Sequence, residues 1–152
     1  MRIALGSDMP NELTDGLQHM LQSRGHEISL YGALASDDDS WPRAARSVAE
    51  AVASGNADSG IVCCWTGTGA SIAANKVSGI RAALCQDAQT AAGARKWNDA
   101  NVLALSLRAT SLPLGEEILD AWLTEGPTED PKYQAMIEDV ETSAGASSRG
   151  AI

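Results

Sequence analysis

Short apolar runs alternate along this chain with longer segments in which apolar residues recur every three or four positions. The runs predict five β-strands, at residues 2–8, 27–32, 60–64, 79–85 and 101–107. The first intervening segment is typical of the others, since Leu13, Leu17 and Leu21 fall on one face of a predicted helix. Because strands and helices alternate at short spacing, the pattern predicts an α/β fold with a parallel sheet covered by helices on both faces.

The chain is long enough for one domain and too short for two ordinary ones. Its 152 residues are 44% hydrophobic, which permits one substantial core. We assign this single domain to residues 1–141, with a final helix predicted over 131–141. Residues 142–152 are rich in Ser, Gly and Ala, and this composition predicts a disordered tail.

The charge of the chain limits its partners. The formal net charge is -9, whereas a sequence-independent grip on nucleic acid or an anionic membrane needs a basic face. We therefore expect no nucleic-acid partner and no membrane partner. No apolar run approaches the roughly 20 residues of a membrane span, and the chain starts directly with a strand rather than a signal peptide, so we expect a cytoplasmic protein.

The three cysteines are unsuited to a disulfide framework, since two of them are adjacent. The sequence contains neither Cys-x-x-Cys nor a Cys/His cluster at metal-ligand spacing, so it predicts no metal site. We expect the thiols to be reduced, and packing or chemistry must account for them.

A glycine-punctuated turn follows the third strand. The strand ends at Cys64, and Thr66-Gly67-Thr68-Gly69 leads into an Ala-rich helix. In a parallel sheet this junction lies at the carboxyl end of a strand, where ligands bind and backbone N–H groups can hold an anion. It is not a dinucleotide fingerprint, because Ile72 stands where the third glycine of G-x-G-x-x-G would fall.

Cys64 is the candidate reactive group at this turn. A helix N-terminus and a hydroxyl donor can lower a thiol pKa from about 8.5, which gives a usable base or nucleophile. The competing interpretation is a cysteine that packs as a small hydrophobe. Cys63 must face the opposite layer of the sheet, and Cys85 lies within an apolar run.

Asp8 ends the first strand, so we expect its carboxyl group at the same sheet edge as Cys64. His19 and His26 lie in or just after the first predicted helix, far from that edge. No Ser/His/Asp or Cys/His arrangement is available, and hydrolytic acyl transfer is disfavoured.

Several motifs occur in unbroken order between residue 1 and about residue 140. They are Gly6-Ser7-Asp8, Cys64-x-Thr66-Gly67-x-Gly69-x-Ser71-Ile72-Ala73-Ala74-Asn75-Lys76, Gly79-Ile80-Arg81-Ala82, Asn98-Asp99-Ala100-Asn101-Val102-Leu103 and Arg108. Together they resemble the type B ribose 5-phosphate isomerase and galactose 6-phosphate isomerase family. The Ser-Ile-Ala-Ala-Asn-Lys and Asn-Asp-x-Asn runs are the most specific parts of this resemblance.

The resemblance implies a Rossmann-like three-layer α/β/α sandwich with a five-stranded parallel sheet. It also implies a homodimer, or a tetramer made of two dimers, with each active site at the subunit interface. The implied reaction is aldose–ketose isomerisation of a sugar or sugar phosphate without metal or organic cofactor. A base moves a proton between C1 and C2 through an enediolate, and N–H groups of the glycine loop hold the oxyanion.

The resemblance further implies roles for individual residues. Cys64 matches the catalytic cysteine and Thr66 the threonine beside it. Asn98 is expected to arrive from the partner subunit, and Arg108 matches an arginine near the phosphate. The other matched positions of the site region are Asp8, which contacts substrate hydroxyls, Gly67, Gly69, Ser71 and Asn75.

The departures from the family pattern lie on the substrate-selecting side. Met9 and Trp97 stand where family members acting on ring sugars have histidines, and tryptophan cannot act as the acid that opens a sugar ring. Trp65 replaces a glycine at a position where backbone normally approaches substrate. Lys132 and Met136 stand in place of two phosphate-binding arginines, so one cation is changed in geometry and the other is lost.

Three interpretations remain open. The first is an isomerase that keeps the Cys64 proton transfer and takes an open-chain substrate, such as a four-carbon ketose phosphate. The second is an isomerase of an unphosphorylated sugar or sugar acid, with Trp65 and Trp97 stacking on its apolar face. The third is a non-catalytic binding or partner subunit of a two-component isomerase.

Overall fold

The computed structural model describes residues 1–36 and 38–147, and this part of the chain forms five strands and six α-helices. The strands are β1 (Arg2–Ser7), β2 (Glu27–Gly32), β3 (Ser59–Cys64), β4 (Ala82–Leu84) and β5 (Val102–Ser106). The helices are α1 (Glu12–Ser23), α2 (Trp41–Ala53), α3 (Thr68–Ala74), α4 (Ala88–Asn98), α5 (Leu112–Thr124) and α6 (Pro131–Ser147). A 3-10 turn at Ala33–Ala35 follows β2. No helix of the described ranges is long and apolar enough to cross a membrane.

Polar side chains fix the starts of three of these helices. Asn11 and Thr14 form a reciprocal capping box before α1. The side chain of Asp87 accepts a hydrogen bond from the N–H of Thr90 at the start of α4, and Ser111 caps α5 in the same way. Each cap satisfies a backbone N–H group that the helix itself leaves without a partner.

The sheet has the strand order β2-β1-β3-β5-β4, and every neighbouring pair is parallel. Register pairs Ser7 with Cys63 and Cys64 with Ser106, so β1, β3 and β5 end side by side. Strand β2 lies on one side of β1, and β3 lies on the other side. The strand order therefore reverses between β1 and β3. Open α/β sheets bind ligands in the crevice at such a point.

Two apolar layers cover the sheet. On one face, side chains of α1 and α5 pack on alternate residues of the strands, and the cluster includes Ile3, Leu5, Ile61, Leu103, Ile118 and Trp122. On the other face, α2 and α3 contribute mainly small residues against the intervening strand positions, including Ala45, Val48, Ala70, Val62, Val102 and Ala104. The α/β/α sandwich with a five-stranded parallel sheet is confirmed.

Strand β4 is shorter than predicted, three residues instead of seven. Gly79 has a left-handed φ of 80°, and the N–H of Arg81 donates to the side-chain oxygen of Asn101 at 2.9 Å rather than to a neighbouring strand. Because β4 also lies at the edge of the sheet, it has one pairing partner only. Ladder pairing therefore starts at Ala82.

The C-terminal prediction is partly wrong, because α6 continues to Ser147 through residues that composition assigned to a disordered tail. The hydroxyl groups of Thr142 and Ser143 donate to the carbonyls of Glu138 and Asp139, each at 2.8 Å, so they are satisfied inside the helix. Residues 148–152 of the predicted tail lie outside the described residues.

Candidate active site

The predicted convergence of Asp8 and Cys64 at one sheet edge follows from the strand register. Ser7 is paired with Cys63, so the next residues, Asp8 and Cys64, lie side by side where β1 and β3 end. The loop after β1 leads to α1 on one face, and the loop after β3 leads to α3 on the other. The crevice between the two loops therefore has a carboxyl group on one side and a thiol on the other.

The two adjacent cysteines face opposite layers, as strand alternation predicts. Cys63 belongs to the apolar cluster with α1 and α5, and burial raises the pKa of its thiol to about 12. Cys64 belongs to the cluster with α2 and α3, the face on which the glycine loop continues. Burial likewise raises the pKa of Cys85 to about 12, so Cys63 and Cys85 are unsuited to proton transfer near neutral pH.

Gly67 makes the turn between β3 and α3. Its φ is 75°, in the left-handed region, and a Cβ atom added there would lie 2.9 Å from the carbonyl carbon of Leu105. Its N–H donates to the carbonyl of Cys64 at 3.2 Å, which closes the turn. Thr66 and Thr68 on either side share a hydroxyl–hydroxyl hydrogen bond of 2.7 Å. Only glycine fits this backbone, and the turn brings the loop back over the end of the sheet.

Backbone donors of this loop are left without protein acceptors. Within the described residues, the N–H groups of Thr66, Thr68, Gly69 and Ala70 donate no hydrogen bond. The predicted residue Ser71 does not add to them, because its N–H donates to the carbonyl of Gly67 at 3.0 Å. We call the four free N–H groups of residues 66–70 the cradle; such a group of donors suits an anionic oxygen.

The carboxyl group of Asp8 is partly buried and incompletely hydrogen-bonded. Its Oδ1 atom is buried without a partner in the part of the chain that is described. Burial raises the pKa of this carboxyl group above its ordinary value. A buried acceptor without a donor is costly in a protein, and a ligand hydroxyl would supply the missing donor. Met9, the next residue, is 42% exposed and carries no titratable group.

The loop is clamped from the end of β5. The carbonyl of Trp65 accepts two hydrogen bonds, from the hydroxyl of Ser106 at 3.0 Å and from the N–H of Arg108 at 3.1 Å. The side chain of Trp65 is 57% exposed at the rim of the crevice. Arg108 is also exposed, and its guanidinium forms no ion pair with any described residue. Arg108 is therefore an exposed cation whose backbone N–H is bonded to the loop.

Three predicted site residues lie away from Cys64 within one chain. Trp97 and Asn98 are the last residues of α4, and β5 begins shortly after them. They therefore lie near the amino ends of the strands, whereas the crevice lies at the carboxyl ends. Lys132 lies at the start of α6, with its ammonium group 5.6 Å from the ring centre of Tyr133. A single copy of the chain does not bring these three residues to the crevice.

Trp97 and Asn98 instead contribute to a large groove between α4, α6 and the segment before β4. The groove has a volume of about 740 Å³. We call it the α6 groove; its apolar lining includes Val77, Ile80, Trp97, Met136, Ile137 and Val140. Trp97, Met136 and Val140 are each about half exposed, at 46%, 52% and 58%.

Asn75 has a structural role. Its amide nitrogen donates to the carbonyls of Ser71 and Ala82, and its amide oxygen accepts from the N–H of Ala82 at 2.8 Å. These bonds join the end of α3 to β4. The side chain lies at the α6 groove, and its hydrogen-bonding groups are used within the chain.

Sequence reasoning missed two residues that contact the loop. The indole of Trp41, at the start of α2, lies over Gly69, where an added Cβ would be 3.0 Å from the ring. Ser106 is the last residue of β5 and reaches the carbonyl of Trp65 across 41 positions of sequence. A tryptophan beside a proline was the only local signal for Trp41, and Ser106 offered none.

The described residues contain no cluster of three or more His, Cys, Asp or Glu side chains arranged to hold a metal ion. Strand register and the loop place Cys64, the carboxyl group of Asp8 and the backbone N–H donors of the cradle at the crevice. Arg108 is an exposed cation that is joined to the same loop through its backbone N–H. Chemically, the set combines a thiol, backbone N–H donors suited to an anionic oxygen and a carboxyl oxygen suited to accept from a hydroxyl.

The fold and the crevice are those of an α/β enzyme that binds its ligand where the strand order reverses. A family model described as Ribose/Galactose Isomerase matches residues 3–140. The chain belongs to this ribose/galactose isomerase family, as its motifs predicted. It is accordingly a sugar isomerase, an enzyme that interconverts aldoses and ketoses.

Individual relatives agree with the family model. Ribose-5-phosphate isomerase B of Escherichia coli is 42% identical over 120 residues, which cover 79% of this chain and 80% of the relative. D-erythrulose-4-phosphate isomerase of Pectobacterium atrosepticum is 38% identical over 145 residues, 90% of this chain and 93% of the relative. The solved structure of Clostridium thermocellum ribose-5-phosphate isomerase B superposes with a TM-score of 0.90 at 37% identity, over 96% of this chain and 99% of that one.

Proposed function

We propose that the chain isomerises an open-chain sugar phosphate by proton transfer at Cys64. The observation that carries the proposal is the juxtaposition at one crevice of the Cys64 thiol, the four free N–H groups of the cradle and the unpartnered Oδ1 of Asp8. These are the three parts that an enediolate reaction needs: a base, donors for the oxyanion and an acceptor for a substrate hydroxyl.

The reaction conserves all atoms of the substrate. The Cys64 thiolate removes the proton from C2 of the aldose, and the electron pair moves to the C1 oxygen to give the enediolate. The cradle stabilises this oxyanion, because its donors are already fixed and need no reorganisation. The thiol then returns the proton to C1, and the hydroxyl proton at C2 passes to the oxygen at C1. Asp8 accepts a hydrogen bond from a substrate hydroxyl and orients the chain.

Two observations support an open-chain substrate. Met9 and Trp97 provide no group that titrates in the range needed to protonate a ring oxygen. The relative from Pectobacterium atrosepticum is named as an isomerase of D-erythrulose 4-phosphate, and a four-carbon ketose has no C5 hydroxyl with which to close a furanose ring on C2. The exposed guanidinium of Arg108 supports a phosphate on the substrate.

A second candidate substrate is an unphosphorylated sugar or a sugar acid. Met136 carries no charge, and the ammonium group of Lys132 rests against the Tyr133 ring. These two positions of α6 thus offer a weaker grip on phosphate than two guanidinium groups would. The exposed indole of Trp65 offers a surface for the apolar face of a sugar.

A proton-exchange assay tests the chemistry across a whole panel of sugars at once. The protein is incubated in heavy water with four- to six-carbon aldoses, ketoses and their phosphates, and deuterium incorporation at C1 or C2 is followed by NMR. We expect exchange with an acyclic phosphate and a loss of about 1,000-fold or more in Cys64→Ala. Cys63→Ala is the matched control, since it removes the neighbouring thiol from the opposite face and leaves exchange within about threefold. Undiminished exchange in Cys64→Ala would show that another group is the base.

We further propose that two chains form a dimer in which each active site draws on both subunits. Trp97 and Asn98 lie near the amino ends of the strands, whereas Cys64 of the same chain lies at the carboxyl end of β3. The apolar α6 groove beside Trp97 and Asn98 is exposed. A second copy seated on the groove would bury these apolar side chains and bring Asn98 to the partner's crevice. The homodimer is the smallest assembly that completes the site.

Subunit mixing tests this assembly. Cys64→Ala and Asn98→Ala are each expected to be nearly inactive alone. After joint refolding, half of the dimers are mixed, and a mixed dimer has one site free of both substitutions. Recovery of about a quarter of wild-type activity supports sites shared between chains, whereas no recovery means that each chain builds its own site.

We also infer a cytoplasmic location for the enzyme. All three cysteines are free, and a reducing compartment keeps such thiols available for proton transfer. A fusion to a fluorescent protein followed by cell fractionation tests this location.

A further inference from the structure

We propose that Ser106 is a positioning residue for the isomerisation: its hydroxyl orients the Trp65–Thr66 peptide and thereby aims the cradle. This inference rests on the function proposed above. Ser106 is 4% exposed. Its hydroxyl donates to the carbonyl of Trp65 at 3.0 Å and accepts from the N–H of Ala109 at 3.2 Å. The side chain thus bridges the turn after β5 to the loop after β3.

The geometry of the peptide bond transmits this contact to the cradle. The carbonyl of Trp65 and the N–H of Thr66 belong to one planar peptide unit and point in opposite directions, because the bond is trans. Two donors from the β5 side, Ser106 and the N–H of Arg108, hold the carbonyl. The N–H of Thr66 must therefore point away from β5, toward the crevice, and it remains free to bind an anionic oxygen.

The residue before this peptide is held as well. The carbonyl of Cys64 accepts from the N–H of Leu107 at 3.0 Å and from the N–H of Gly67 at 3.2 Å. These are backbone bonds that persist whatever side chains are present. Among the contacts that fix residues 64–67 from β5, the Ser106 hydroxyl is the one that depends on a side chain, so it is the one that a substitution can remove.

Removing the hydroxyl would loosen the peptide without unmaking the loop. In Ser106→Ala the carbonyl of Trp65 keeps the bond from Arg108 but loses its second donor. The peptide can then rotate, and the Thr66 N–H spends less time aimed at the oxyanion. A small misalignment of a transition-state donor lowers turnover more than it lowers substrate affinity.

Ser59 provides a matched control on the same sheet. It is 3% exposed, its hydroxyl donates to the carbonyl of Asn101 at 3.4 Å, and it accepts from the indole N–H of Trp122 at 3.0 Å. It is therefore another buried serine hydroxyl that both donates and accepts, but it lies at the amino end of β3, whereas the crevice lies at the carboxyl end. Ser59→Ala reports what the loss of a buried hydroxyl does to the fold alone.

The test compares Ser106→Ala, Ser106→Thr and Ser59→Ala with the wild type by steady-state kinetics. For Ser106→Ala we expect kcat to fall about tenfold while KM stays within about twofold. Ser106→Thr keeps the hydroxyl and should recover kcat to within about threefold of the wild type. Ser59→Ala should lower the melting temperature and leave kcat unchanged. Equal kcat in Ser106→Ala and the wild type, or an equal fall in Ser106→Thr, would overturn the inference.

Hydrogen exchange separates failure of this inference from failure of the proposed function. The N–H groups of Gly67 and Arg108 donate to the carbonyls of Cys64 and Trp65, so their exchange reports how firmly the loop is held. Followed by NMR, this exchange should be about fivefold or more faster in Ser106→Ala than in the wild type, and unchanged in Ser59→Ala. This measurement does not depend on turnover. If the wild type isomerises none of the sugars while Ser106→Ala shows faster exchange, the Ser106 hydroxyl does hold the Trp65 carbonyl and the proposed function is wrong. If exchange is the same in both proteins, the inference that Ser106 orients the Trp65–Thr66 peptide is wrong.

Discussion

Replacing Gly67 with alanine perturbs the turn that builds the cradle, and the cost can be worked from its geometry. An alanine at φ 75° pays about 1–2 kcal/mol for the left-handed conformation. Its Cβ would also lie 2.5 Å from Leu84 Cδ1 and 3.0 Å from the carbonyl oxygen of Leu105. The leucine tip can move, but the backbone of β5 cannot move freely, and such overpacking costs about 1–3 kcal/mol more. We expect a total loss of about 2–5 kcal/mol in the free energy of unfolding.

Gly55→Ala isolates the conformational part of this cost. Gly55 has the same φ of 75° after α2, and an added Cβ would meet nothing within 4 Å. Urea unfolding should therefore place Gly67→Ala about 1–3 kcal/mol below Gly55→Ala. In the exchange assay Gly55→Ala should match the wild type, and Gly67→Ala should lose activity. A difference in stability below about 0.5 kcal/mol would refute the argument, since it would mean that the cradle does not rest on β5.

Three further predictions concern the crevice and the α6 groove. Burial raises the pKa of Asp8, so the ionised carboxylate opposes folding. Asp8→Asn should therefore abolish turnover yet be more stable than the wild type at pH 7. The difference in stability should shrink as the pH falls toward 3.8, the ordinary pKa of an aspartate, because the wild-type carboxyl group is then protonated. Trp97→His should not improve turnover of an acyclic substrate, and steady-state kinetics with ribose 5-phosphate measures whether a ring-sugar activity appears. Val140→Glu places a charge on the 58% exposed apolar wall of the groove and should shift sedimentation toward monomer with a parallel loss of activity.

Each of these predictions has a clear opposing result. A pH-independent stability difference for Asp8→Asn would mean that the carboxyl group is well solvated in the folded protein. New activity of Trp97→His on ribose 5-phosphate would identify a damaged ring-sugar isomerase rather than an enzyme for open-chain substrates. A dimeric, active Val140→Glu protein would remove the groove from the subunit interface.

The fold could be predicted from sequence because its signals are local. The strand runs and the helical spacing of residues such as Leu13 and Leu17 depend on neighbours within a few positions. The errors fall where a distant contact decides the structure or where composition was the only signal. Strand β4 is short because Asn101 accepts a hydrogen bond from the N–H of Arg81 across 20 positions. Helix α6 runs beyond residue 141 to Ser147, through residues for which composition was the only signal.

The candidate site divides in the same way. Cys64, Gly67 and Gly69 belong to one stretch, so their glycine spacing and strand end identify the loop. Asp8 could be added because parallel strands share an edge. The hydrogen bond from Ser106 to Trp65 and the packing of Trp41 on Gly69 depend on how separate segments of the chain come together. The residues adjacent to Ser106 and Trp41 in sequence do not indicate these contacts.

The opposite orientation of the paired cysteines also has a consequence for oxidation. Cys63 and Cys64 are adjacent in sequence, but their side chains lie on opposite faces of the central strand of the sheet. A disulfide needs its two Cβ atoms about 3.8 Å apart and turned toward each other, so the pair cannot close while β3 is held between β1 and β5. A bond between these two sulfurs would form only in chains whose central strand has left the sheet. The yield of this disulfide under oxidising conditions would therefore measure the fraction of molecules in which β3 has separated from the sheet.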